Sequence, residues 1–224
     1  MTIADNLKDI KSSFHNPTCL LIAVSKTKPI ENLLEAYGAG VRDFGENKVQ
    51  ELQAKEPQLP KDIRWHMIGH LQRNKVKYIA PFIYLIHSVD SFKLLKEINK
   101  QGEKIDRKIS VLLQIHIAEE ESKFGFDISE LEEMLDSEEF KKLSHVTVKG
   151  LMGMATLTSN QDQIRKEFKR LKALFEEIKN KELPDFVQLT ELSMGMSSDY
   201  QVAQEEGSTM VRIGSSIFGA RNYN

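Results

Sequence analysis

Eight short apolar runs, each followed by an amphipathic stretch, pattern this chain from end to end, and that rhythm limits its folds more than any single residue does. The runs cover residues 19–26, 41–46, 64–70, 83–89, 109–117, 147–155, 186–194 and 209–214. Apolar runs of this length read as strands buried on both faces. The segments between them carry helix signals. Ile164, Phe168, Leu171, Leu174, Phe175 and Ile178 share one face of a long helix whose other face is Lys, Arg and Glu. Asp127, followed by Glu130, starts another helix that carries Ile128, Leu131, Met134 and Leu135. Eight strand–helix units predict an α/β protein, a single (β/α)8 TIM barrel. At 224 residues the chain is ample for one large core and slightly short of a typical barrel of this kind. One domain over residues 1–224 is therefore predicted, opened by a helix at about 3–14 that would close the bottom of the barrel.

Composition removes several classes of function. Lys+Arg number 31 against 33 Asp+Glu, a net charge of −2, so no basic field attracts nucleic acid. Cys19 is the one cysteine and lies inside the first apolar run, where it packs as a small hydrophobe. The stretch Met1–Ile10 lacks a signal peptide's apolar core, and no apolar segment is long enough to span a bilayer. A soluble cytoplasmic monomer, partnered by neither nucleic acid nor membrane, is the expectation.

In a barrel, function belongs at the C-terminal ends of the strands, and the unusual residues fall there. The first run ends in Lys26, which shares strand parity with Leu20, Ile22 and Val24, so it aims into the mouth; Lys28 lies beyond, nearer solvent. An ammonium at the edge of an apolar core can be shifted toward the neutral amine by desolvation, which makes it a nucleophile for an aldehyde. The second run ends in Gly45-Glu46-Asn47, and His66, His70, His87 and His116 stand near the ends of the third, fourth and fifth. His66 and His70 would lie about 13 Å apart on a strand, too far to share a metal ion, and the four histidines read as hydrogen-bonded pocket or rim residues. The last two runs end in Ser193-Met-Gly-Met-Ser-Ser198 and Arg212-Ile-Gly-Ser-Ser216. Small hydroxyls and glycine backbone in these two loops suit a phosphate, with Ser198 and Asp199 placed to cap a short helix. Arg212 shares parity with Met210 and Gly214 and so points into the same space.

The motifs Ala23-Val-Ser-Lys-Thr-Lys-Pro29, Phe44-Gly-Glu-Asn47, Trp65-His-Met-Ile-Gly-His-Leu-Gln72 with Asn74-Lys75, His87-Ser-Val-Asp-Ser91, Gly150-Leu-Met152, Leu192-Ser-Met-Gly-Met-Ser197 and Val211-Arg-Ile-Gly-Ser-Ser-Ile-Phe-Gly219 span nearly the whole chain in order. Together they resemble the pyridoxal 5′-phosphate homeostasis proteins, single-domain relatives of the alanine racemase barrel (fold type III). The resemblance implies that Lys26 forms the internal aldimine with pyridoxal 5′-phosphate and that Asn47 sits beside the cofactor ring. It implies further that Arg212 faces the pyridine nitrogen and that Ser193, Gly214 and Ser215 hold the phosphate. His116 departs from the family pattern, which usually has asparagine there in a motif continuing through Glu121, Lys123 and Gly125.

A permanent donor at the pyridine nitrogen competes with its protonation and weakens the ring as an electron sink. With the last predicted strand at 209–214 and the sequence read to Asn224, a second domain like that of the racemases is not expected. The resemblance thus implies a cofactor-holding protein of intracellular pyridoxal phosphate homeostasis, without efficient catalysis, that releases the cofactor to apo forms of pyridoxal phosphate enzymes. The alternatives are a fold-type-III amino acid racemase or decarboxylase, and a cofactor-free interaction scaffold.

Overall fold

The computed structural model describes residues 2–119 and 124–219. Eight parallel strands close into a barrel in chain order: β1 (Leu20–Val24), β2 (Asp43–Glu46), β3 (Arg64–Met67), β4 (Leu85–Val89), β5 (Ile109–Gln114), β6 (Val146–Met152), β7 (Val187–Met196) and β8 (Met210–Ile213), with β8 paired back onto β1. Each strand falls within or across one of the eight apolar runs. The runs, however, reach further at their C-terminal ends: Lys26, His70, His116 and Met154 lie in loops past the last ladder bond. Strand pairing stops where the neighbouring strand stops, and the polar residues begin there.

The helices are α1 (Ile3–Ser12), α2 (Ile30–Gly38), α3 (Val49–Lys55), α4 (Val76–Ile79), α5 (Phe92–Lys104), α6 (Ile128–Asp136), α7 (Glu138–Lys141), α8 (Gln161–Lys179), α9 (Tyr200–Glu205) and α10 (Ser215–Phe218). Asp127 caps α6 in a reciprocal box with Glu130. On α8, Ile164, Phe168, Leu171, Leu174, Phe175 and Ile178 are all buried, on the order of 10 kcal/mol of apolar burial as an upper bound. Among the described residues no helix is long and apolar enough to cross a membrane.

One expectation is corrected by the position of α1. Rather than closing the bottom, the helix lies outside the barrel against α2 and α10, where Asn6 Nδ2 donates to Ile217 O and the Ile3 N–H to Glu35 Oε1. Its apolar stripe, Leu7 and Ile10, is short and belongs to the same outer core as the surrounding helices.

The main core lies between sheet and helix ring, with Phe44, Phe140 and Phe168 fully buried. Inside the barrel, Ile22, Leu85, Leu112, Met152 and Met210 form a second cluster with Leu20 against it. Strand alternation separates the two, sending Leu21 and Ala23 outward and Leu20 and Ile22 inward. Ladder shifts in β4–β8 adjust the closure. At one of them Gly150 lets two backbones touch: a Cβ there would lie 1.7 Å from Glu191 O.

Candidate functional site

At the C-terminal mouth of the barrel lies a cavity of about 370 Å³, a volume ordinary for a small-molecule site. Its lining brings together five of the six residues singled out from the sequence: Lys26, Asn47, Arg212, Gly214 and Ser215. Lys28, Ser197 and Ser198 join them, with Ile68 and Met154 among the apolar walls. The polar lining contains three cationic side chains, three serines and one amide, and no carboxylate among the described residues. Such a surface favours an anion.

The Lys26 turn is built by a buried cluster behind it. β1 ends at Val24, and Thr27 adopts φ 63°, a left-handed conformation costly for a β-branched residue. The Thr27 N–H donates to Glu51 Oε2 at 2.7 Å, which holds the turn. Lys55 Nζ lies 3.0 Å from the same oxygen, 2.8 Å from Glu46 Oε1 and 2.9 Å from Ser25 O. Ser25 Oγ donates to Glu46 Oε1 at 2.7 Å, and Glu46 Oε2 is buried without a hydrogen-bond partner among the described residues. Burial pushes the Glu46 carboxyl up to about 7, against the opposing pull of Lys55 and Ser25. Burial also acts on Glu51, but the Thr27 N–H and Lys55 hold it below its ordinary value. The i,i+4 spacing of Glu51 and Lys55 marks an ion pair on α3, but nothing in the sequence ties that pair to Glu46, because the cluster forms only when α3 docks on the ends of β1 and β2.

Lys28 turns inward enough to line the cavity, although it was expected nearer solvent. Its Nζ donates to Phe218 O at 2.9 Å and Gly219 O at 3.2 Å, tying the Lys26 loop to the end of α10. Asn47 presents a buried Oδ1 with no hydrogen-bond partner among the described residues. Its backbone leans on Gly69, where a Cβ would meet Asn47 O at 2.5 Å.

On the opposite wall, the Gly214 N–H donates to Ser197 Oγ at 3.3 Å, so the loops after β7 and β8 are joined at the cavity edge. Asp199 does not cap α9 with its side chain. It accepts the Met196 N–H at 2.5 Å instead, and burial raises its carboxyl above the ordinary value. Arg212 is buried, and desolvation draws it down to about 10, opposed by Asp199.

Ser193 is placed differently from the expectation. It is fully buried beneath the cavity and does not line it. Its Oγ lies 2.6 Å from Arg212 Nη1 and 2.9 Å from His87 Nδ1, so it serves as the seat of the arginine. Strand parity sends Ser193 inward, where Arg212 and His87 take up its hydroxyl. Ser197 and Ser198, four and five residues on, occupy the edge in its place.

The histidines divide in the same way. His66 and His87 are fully buried within the barrel, whereas His70 stands at the rim against Asp90 at 2.9 Å. His116 borders a separate hollow with Asp90, Asp127 and Glu130. Glu121 and Lys123 of the fifth-loop motif lie outside the described residues.

A closed parallel barrel with a lysine, an inward arginine and Ser/Gly loops at its mouth defines the alanine-racemase type of barrel, and the sequence matches the family described as "Alanine racemase, N-terminal domain" over residues 1–222. The chain is 38% identical to the pyridoxal phosphate homeostasis protein of Pasteurella multocida, over 100% of both chains. It is 40% identical to the human protein of that name, with 91% of this chain and 77% of the human one covered. The structure of PipY from Synechococcus elongatus PCC7942, solved with PLP bound, superposes with a TM-score of 0.88 at 36% identity, covering 97% of this chain and 100% of PipY. This chain belongs to the pyridoxal phosphate homeostasis protein family.

Proposed function

We propose that this chain holds pyridoxal 5′-phosphate at the barrel mouth, as a cytoplasmic, monomeric reservoir, and releases it to apo forms of pyridoxal phosphate enzymes without efficient catalysis of its own. The observation that carries the reading is the composition of the cavity: Lys26, Lys28 and Arg212 with Ser197, Ser198 and Ser215, and no carboxylate among its described lining residues. The residues fit the cofactor. Three separated demands, an amine for an aldehyde, a donor for a ring nitrogen and small donors for a phosphate, are met at different walls of one cavity. Asn47, also in the lining, offers an Oδ1 acceptor with no hydrogen-bond partner among the described residues.

Bound pyridoxal phosphate supplies an electrophilic aldehyde and an electron-withdrawing ring. Lys26, which continues the inward parity of Leu20 and Ile22 and lines the cavity, is the amine that would hold the aldehyde end of the cofactor. Arg212 would face the ring nitrogen as a donor that does not hand over its proton. Gly214, Ser215, Ser197 and Ser198 would hold the phosphate. The names of the relatives support homeostasis over turnover, and the arginine at the ring nitrogen supports it chemically.

Borohydride reduction of the protein loaded with pyridoxal phosphate, followed by peptide mapping, tests the assignment. Adduct on Lys26, absent in Lys26→Ala, is expected; adduct on Lys28 overturns it. The loaded protein should reactivate an apo pyridoxal phosphate enzyme, and failure there removes the delivery role. Amino acid turnover on the order of 1 per second or faster would instead make it an enzyme.

A further inference from the structure

Beneath the cavity a chain of hydrogen bonds crosses the barrel interior through five strands. Arg212 on β8 places Nη1 2.6 Å from Ser193 Oγ on β7, and Nη2 3.1 Å from Gly153 O. Ser193 Oγ is 2.9 Å from His87 Nδ1 on β4. His87 Nε2 is 2.9 Å from His66 Nδ1 on β3, and His66 Nε2 is 3.0 Å from Asp43 Oδ1 on β2. Asp43 is held in turn by both sides of the Arg64 fork, which is part-exposed at the far end. Ser193, His66 and His87 are fully sealed from solvent.

The two ends of this chain dictate its direction. A guanidinium only donates, so Ser193 Oγ accepts from Arg212; a carboxylate only accepts, so His66 Nε2 carries a proton toward Asp43. If both rings are neutral, His66 Nδ1 is bare and accepts from His87 Nε2–H. His87 Nδ1 is then bare and accepts the Ser193 hydroxyl proton. Every group from Arg212 to His66 then donates and accepts in one sense with no clash, and the wire ends on Asp43 Oδ1, which also accepts from Arg64 Nε. Burial disfavours the charged form of both imidazoles, which agrees with this arrangement.

We infer that His87 and His66, both as neutral Nε2–H tautomers, act with Ser193 as positioning residues for Arg212: a one-way hydrogen-bond wire that fixes the rotation of the guanidinium, and therefore the donor it turns toward the cavity. The inference rests on the proposed cofactor site only for what Arg212 faces. The tautomers and the wire stand on the protein alone. A guanidinium seated on two oxygens beneath it is pinned in one plane, and the serine oxygen is oriented only because His87 accepts its proton. A barrel interior filled with hydrocarbon would leave Arg212 buried without these partners, at substantial cost.

Long-range 1H–15N correlation of the imidazoles in cofactor-free protein tests the wire directly. Nε2–H tautomers at both His66 and His87 near pH 7 are expected; an Nδ1–H tautomer or a charged ring at either position overturns the inference. Ser193→Ala should shift the His87 Nδ1 resonance and leave the more exposed His145 unmoved, and an unchanged His87 resonance also overturns it. A second arm compares pyridoxal phosphate binding by equilibrium dialysis. His87→Phe should weaken binding about tenfold, because the Ser193 oxygen loses the acceptor that orients it toward the charged Arg212. His87→Asn, whose amide oxygen can accept from Ser193 where Nδ1 does, should recover most of that loss. Folded His87→Phe binding as tightly as wild type, or no recovery in His87→Asn, overturns the positioning role. Wild-type protein that shows the expected tautomers yet binds no pyridoxal phosphate would overturn the proposed function and leave the wire intact.

Discussion

Replacing Glu46 by glutamine isolates one buried titration that sits directly behind the Lys26 turn. Glu46 is fully buried, accepts from Ser25 and Lys55 on one oxygen and, among the described residues, has no partner on the other. Lys55 and Glu51 are the charged groups that face it. Its carboxyl is raised by burial from 4.5 to about 7, so the folded protein binds this proton more tightly than the unfolded chain. The resulting stability is fully present below about pH 4.5 and is lost as the pH rises through 7. Between pH 5 and pH 8 the group therefore removes roughly 2 to 3 kcal/mol of wild-type stability by the linkage relation. Glu46→Gln keeps an acceptor for Ser25 and Lys55 and puts an amide in place of the orphan oxygen, but it does not titrate. Urea unfolding of both proteins at pH 5, 6, 7 and 8 in one salt concentration reads the difference. The wild type should lose roughly 2 to 3 kcal/mol more than the variant across that range. Parallel profiles, within about 0.5 kcal/mol of each other, would refute the buried-carboxyl argument, since that is the scatter of well-behaved unfolding comparisons.

Two further substitutions probe backbone contacts that place the site. Gly69→Ala would drive a methyl into Asn47 O and Cα, at 2.5 and 2.7 Å, and should weaken pyridoxal phosphate binding by at least about tenfold while secondary structure by circular dichroism stays intact. Gly150→Ala meets Glu191 O at 1.7 Å between two central strands, where neither backbone can yield; it should cost more than about 4 kcal/mol, read as loss of soluble folded protein or a collapsed urea midpoint.

How much was legible in the sequence follows from the range of each interaction. Strands and helices are local patterns, and residues such as Ile22 and Phe168 declare their faces through period 2 and period 3.6, so the eight-fold βα rhythm was enough to define a closed barrel. The mouth was legible for the same reason: Arg212 stands near the end of its strand and Lys26, Asn47, Gly214 and Ser215 follow theirs, and a barrel gathers those ends in one place. Depth along the axis was not legible. Parity said that Ser193 points inward, but only the stagger of β7 against β8 decided that it lies under Arg212 and that Ser197 and Ser198 reach the cavity in its stead. The path of α1 was likewise undecided until its short apolar stripe found α2 and α10. Partnerships across the fold were invisible altogether. Asp43, His66, His87, Ser193 and Arg212 come from five strands, and Glu46 and Lys55 meet across a strand and a helix. The sequence determined which residues point inward and at which end of the barrel they stand; the tertiary structure alone decided which of them touch, because hydrogen bonds reach about 3 Å and that distance is set by ladder register and helix docking.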